Sequence, residues 1–144
     1  MLTLNQIKTK LIEYFNGHAQ VNDVKYEDDF EFKAESNLTY PVVNIEYLDS
    51  NISNKLMNYN FKVVIADVVS EDRPELQDEI YSDTLLIAED FFTFLQYQEG
   101  WTFSKSSSLQ KFWDENGDRV CGIVFRVVLS VVRPQAECTK PSKI

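Results

Sequence analysis

The last third of this chain contains a run that leaves little choice of structure. From Val120 to Val132, the residues Cys121, Ile123, Phe125, Val127, Leu129 and Val131 alternate with Gly122, Arg126, Ser130 and valines. A period of two places all six on one face of an extended strand. An apolar face of that length must be covered by another part of the chain, so the run demands a layered fold built on a sheet. A second run makes the same demand. Between Tyr59 and Val69, Tyr59, Phe61, Val63 and Ile65 share one face, and Lys62, Val64, Ala66 and Val68 share the other.

Two helical segments supply the cover. Leu4, Ile7, Leu11, Ile12 and Phe15 recur at helical spacing, Thr3 and Gln6 fit a capping box, and Gly17 falls where a C′ glycine ends a helix. This predicts a helix over 4–16. Further on, Pro74 suits a first helical position, and Glu75, Asp78 and Glu79 complement the positive end of a helix dipole. Leu76, Ile80, Ile87, Ala88, Phe91 and Leu95 form its apolar stripe, with Tyr81, Leu85 and Phe92 to one side. That arc is wider than a helix needs to cover one sheet, so this helix is expected to touch something beyond it. Gly100 ends the region.

Shorter strand-like text fills the rest. Val21, Val24 and Tyr26 lead into the alternation of Phe30-Glu31-Phe32-Lys33-Ala34, and Pro41 opens Val42 to Tyr47. Asp49-Ser50-Asn51 and Ser53-Asn54 read as a loop. Trp101-Thr102-Phe103 starts another strand, and Asn116-Gly117 reads as a hairpin turn. The order predicted is helix, three or four strands, helix, two strands. That is an α+β fold, a mostly antiparallel β-sheet with two helices packed on one face, in a single domain over 1–134 with a C-terminal tail over 135–144.

Composition narrows the class. The 144 residues are 44% hydrophobic and 26% charged, which suits one globular domain. The net charge is -9, against a protein that grips nucleic acid through its overall charge. The charge is uneven: residues 67–99 hold ten acids and one base, Arg73, whereas residues 119–144 hold five bases and one acid, Glu137. Acidic and basic faces meeting between copies of the chain are one reading of this split, and a solvated helix face with a mildly basic tail is the other. Four scattered glycines leave no room for a Gly-rich phosphate loop. No stretch approaches the roughly 20 apolar residues that span a bilayer, and no signal peptide is visible at the N-terminus. A reduced, cytosolic place of assembly fits two cysteines without a disulfide framework.

Candidate chemistry is sparse. His18 follows a helix-ending glycine and reads as an exposed loop residue. Cys121, on the apolar face of its strand, reads as a buried inert thiol, and Cys138 as the more accessible one. Glu27-Asp28-Asp29 reads as a solvated turn. Asp67 interrupts an apolar run and either caps the following turn or pairs with a base from another strand or subunit. Ser106-Ser107-Ser108 lack a nucleophile-elbow setting. No enzyme, metal or cofactor is expected.

Four stretches in order resemble the tail-terminator and tail-completion proteins of long-tailed bacteriophages, among the small head–tail joining proteins. They are the first helix running into Val21 to Phe32; Tyr40-Pro41-Val42-Val43-Asn44-Ile45; Phe61 to Val69 with the helix Ile80 to Asp90; and Asp118 to Phe125 continuing to Cys138-Thr139-Lys140-Pro141. The resemblance implies a helix-flanked sheet in a virion structural part. Such proteins form a ring at the head–tail junction, often a hexamer, that terminates the tail tube and joins it to the neck. Partners would be other copies of the chain, the tail tube protein and neck or head-closure proteins, with genomic DNA passing through the lumen unbound. The chain would be assembled in the host cytoplasm and reside in the virion neck. On that reading the subunit interface would draw on Tyr81, Asp83, Leu85, Phe92, Arg126 and Arg133, and Glu27, Asp28 and Asp29 would face the lumen. The competing readings are a head-closure adaptor or other tail-associated part, and a monomeric acidic binding or inhibitor module.

Overall fold

A computed structural model describes residues 2–28, 39–69, 74–105, 108–114 and 120–133. Helix α1 spans Leu4–Asn16. It starts as a full capping box: the Thr3 hydroxyl accepts from the Gln6 backbone N–H, and the Gln6 side chain accepts from the Thr3 N–H. Gly17 closes the helix but stays right-handed (φ -86°), its N–H donating to the Glu13 and Tyr14 carbonyls. The left-handed C′ geometry expected of a terminal glycine is therefore not used. Strand β1 (Asp23–Lys25) follows, then β2 (Val42–Ser53) and β3 (Leu56–Val68). The Tyr40–Pro41 peptide before β2 is cis. A short 3-10 turn, Pro74–Leu76, leads into helix α2, Gln77–Tyr97. Strands β4 (Thr102–Lys105), β5 (Gln110–Asp114) and β6 (Val120–Val132) complete the described chain.

The six strands form one mixed sheet in the order β1-β2-β3-β6-β4, with β5 also on β6. Among the described strands, the β1–β2 pair alone is parallel and the other pairs are antiparallel. The element order among the described residues is helix, three strands, helix, three strands. The long strands β3 and β6 pair along their whole length, from Leu56↔Val132 to Val68↔Val120. At a rise of about 3.4 Å per residue, that ladder is roughly 40 Å long.

Alternation decides the two faces. Odd-numbered residues of β3 and β6, from Tyr59 to Ile65 and from Ile123 to Val131, lie under the helices in one continuous core. Ile7, Leu11 and Phe15 of α1 and Ile87, Phe91 and Leu95 of α2 enter the same core, so both helices cover the same face. Phe91 sits 4.7 Å from Phe15 and 6.2 Å from Phe125, ring centre to ring centre, and so ties both helices to β6. The opposite face carries Asn44, Lys62, Val64, Arg126 and Val128, with a small apolar cluster of Val42, Ala66 and Val120 at one end.

The segment read as a loop, 49–54, is strand up to a tight turn at Asn54-Lys55, where Asn54 takes φ 56°. Polar side chains hold this part of the hairpin. The Asn58 amide donates to Asn51 Oδ1 at 2.7 Å, Asn60 donates to Asp49, and the Tyr47 hydroxyl bonds the Ser50 hydroxyl. A register shift between Tyr47 and Asp49 swaps the parity of β2, so Ile52 shares a face with Met57. The loop expectation fails there because hydrophilic strand text at a solvated hairpin end looks like loop text. The expected strand at 30–34, the hairpin turn at Asn116-Gly117 and the tail 135–144 lie outside the described residues.

Candidate interaction surfaces at the two ends of the sheet

Helix α2 begins over one end of the β3–β6 ladder and finishes over the other. Near its start, Ile80 packs with Val69 and Cys121. Near its end, the Trp101 indole N–H donates to the Leu95 carbonyl, and Trp101 lies beside Ser130 and Val132. The two ends of the sheet therefore differ in what the helix brings to them.

At the start of α2, the inward arc is spoken for. The Tyr81 hydroxyl accepts from Gln77 Nε2 (2.7 Å) and donates to the Phe112 carbonyl (3.3 Å), and its ring packs against the Val69–Ile80–Cys121 cluster. Phe92 stacks on Phe103 (5.4 Å) and meets Phe125 edge-on (5.0 Å). The wide apolar arc is thus largely used within the chain, against β4, β5 and β6. Of Tyr81, Leu85 and Phe92, Leu85 is the one left exposed, and Leu86 beside it is 57% exposed. Around these leucines the outward arc carries Asp78, Glu79, Asp83, Glu89 and Asp90, all exposed, and α2 has no Lys or Arg.

Beneath this arc lies Asp67. It pairs in register with Cys121, and its Oδ1 accepts from the Val68 N–H at 2.8 Å. Burial pushes its carboxyl above the ordinary range, the Val68 hydrogen bond pulls back, and the nearby Asp83 charge adds to the rise. A local backbone N–H within β3 thus holds the carboxyl, and residues 70–73 of the turn it is expected to cap lie outside the described residues. Burial, then the Asp67 charge, raises the Cys121 thiol to about 11, so this thiol stays protonated and inert at neutral pH. Cys138 lies outside the described residues.

His18 departs from its expected exposure. Its side chain is 12% exposed, and its Nε2 lies 2.9 Å from Asp90 Oδ2 on α2. The Gln20 N–H donates to His18 Nδ1, which leaves Nε2 as the protonated nitrogen that donates to Asp90. The ring thus fastens the end of α1 to α2. Glu27 lies just past the end of β1, where the buried Asn44 amide (2% exposed) clamps its backbone, accepting from the Glu27 N–H (3.2 Å) and donating to its carbonyl (3.1 Å). Asp28 is exposed, and Asp29 lies outside the described residues. Arg126 stands on the open sheet face opposite Lys62, with Glu46 next in that row.

The hairpin end has the opposite character. Ile52 is 57% and Val132 68% exposed, and the turn presents Lys55. Arg133 extends the ladder here: its N–H donates to the Lys55 carbonyl at 2.7 Å and its guanidinium to the Asn54 carbonyl at 3.4 Å. An apolar groove of about 580 Å³ opens beside them between Leu2, Leu56, Trp101 and Val132. Arg133 is among the residues expected from sequence; Ile52, Lys55 and Leu86 are not. The signal for Ile52 and Lys55 is the Asn54-Lys55 turn, hidden in polar text.

Among the described residues, no cluster of three or more His, Cys, Asp or Glu side chains could hold a metal, and no helix is long and apolar enough to cross a membrane. No family model matches the chain. It is similar to the Ycf2 protein of Psilotum nudum, at 27% identity over 129 residues, which is 81% of this chain and 5% of that protein. The chain therefore spans about a twentieth of the length of the curated relative it matches.

Proposed function

We propose that this chain is a structural subunit of a ring at the head–tail junction of a long-tailed bacteriophage, terminating the tail tube and joining it to the neck. The reading starts from the resemblance in four ordered stretches. One structural observation supports it above others: each copy carries exposed leucines among acids along the outward arc of α2, and exposed apolar side chains with bases at the hairpin end of the sheet. A ring is closed by a heterologous interface, in which two different patches of one copy meet the complementary patches of its neighbours.

Electron microscopy of virions with a labelled antibody against this chain tests the proposal. Label at the neck, with the chain recovered from purified particles, is the expected result. Particles that lack the chain overturn it, and a monomer captured tightly by a basic protein would favour the acidic binding module instead.

A further inference from the structure

We propose that two separate surfaces of the molecule are the two halves of one contact: the outward arc of α2 in one copy seats in the apolar groove at the hairpin end of the next. The inference rests on the ring reading and adds to it which surfaces meet. Leu85 and Leu86 are the apolar projection, and the groove between Leu2, Leu56, Trp101 and Val132 is the recess. Leu56 lines both the groove and the turn that carries Lys55, so a base stands at the groove's rim with Arg133 beside it. The projection is ringed by Glu79, Asp83, Glu89 and Asp90. Apolar surface thus meets apolar surface inside a rim of opposite charges, the usual build of a specific interface.

Geometry makes this a contact between copies. Asp83 acts on Asp67, near the Val68↔Val120 end of the ladder, whereas Lys55 and Arg133 sit at the Leu56↔Val132 end. The ladder puts roughly 40 Å between Asp83 and this turn. Glu89 lies nearer, over the middle of the ladder where Phe91 and Phe92 meet Phe125, yet Val63 opposite Phe125 is still eight residues, about 27 Å, from Lys55, and charges more than about 8 Å apart in water are largely screened at physiological salt. One copy cannot satisfy its own pair, and a head-to-tail series can.

The test uses the full chain at high concentration, as an equal mixture of isotopically light and heavy protein. A photo-crosslinking amino acid replaces Leu86, and crosslinked peptides are mapped by mass spectrometry. The expected product is a mixed light–heavy crosslink to 52–56, Trp101 or 131–133. In sedimentation, Leu86→Asp is expected to abolish self-association. Lys55→Glu should weaken it about tenfold, more strongly at low salt, and Glu89→Lys should recover most of that loss. All these positions are exposed, and thermal melting checks that each variant folds. Intermolecular crosslinks that map elsewhere overturn this docking and leave the ring reading standing. A chain that stays monomeric at millimolar concentration with no mixed crosslink also overturns it, and the virion label then decides the ring reading separately.

Discussion

The two ends of the sheet are held together by different physics. Under the start of α2, strands β3 and β6 approach closely and exclude water. Val42, Ala66 and Val120 close the open face there, and Val69, Ile80 and Cys121 close the helix face. Gly122 makes this approach possible: a Cβ at that position would overlap the Ile65 carbonyl oxygen and lie 2.8 Å from Ala66 Cα. At the hairpin end Tyr59, Leu129 and Val131 still pack under the helices, but the other face relies on a ladder of amides and hydroxyls. Asn58 sits at its centre, donating to Asn51 and accepting from the Ser130 hydroxyl at 2.6 Å. One end is stabilised by packing that tolerates no added atom, the other by hydrogen bonds that water can partly replace.

The largest effect that could break this contrast is Gly122→Ala. The overlap is with backbone, which cannot swing aside, so the substitution should cost about 3 kcal/mol or more in urea unfolding. A loss under about 1 kcal/mol would show that the strands can part there without penalty. Asn58→Ala should cost less, about 1 kcal/mol, because its partners are near solvent. A loss as large as that of Gly122→Ala would put both ends on the same footing.

Asp67→Asn sharpens the contrast through pH. Its carboxyl is raised in the folded chain, so ionisation opposes folding: the penalty is absent below the ordinary carboxyl range and fully present above the raised folded value. The variant should therefore be more stable than the parent at neutral pH, and the difference should shrink as the pH falls into the carboxyl range. Paired urea midpoints at neutral and acidic pH measure it, and a difference that grows on acidification would contradict the assignment.

Much of the fold was legible because its strongest signals are periodic. The alternation from Cys121 to Val131 marked β6 from Val120 to Val132, and the Thr3–Gln6 capping box set the start of α1. Those features are local, and neighbouring residues carry them. What stayed hidden depends on partners distant in sequence. Asp49 to Ser53 form a strand because Leu56 to Asn60 lie opposite, and nothing in their own polarity announces it. Phe92 and Tyr81 lie off the main stripe of α2, yet Phe103 and Phe112 on the outer strands meet them. His18 is mostly hidden because Asp90, seventy-two residues away, holds its ring. The candidate surfaces were legible in part. The charge split pointed to α2 and to Arg133, whereas the groove and the exposure of Ile52 and Leu86 emerge only from packing.

The sheet is long in the middle and short at its margins. Strands β2, β3 and β6 run 12 or 13 residues, whereas β1 has three, and β4 and β5 share the outer side of β6 as pieces of four and five. Backbone hydrogen bonding is the least selective way for two proteins to join, and a long free margin invites it without limit. Among the described residues, the β6 side ends in two such short pieces, whereas β1 pairs only with Val42 to Asn44 and leaves Ile45 to Ser53 of β2 with no described strand neighbour on that side. On the β6 side, copies that meet must then recognise one another through side chains, which can specify how many join and when the series stops.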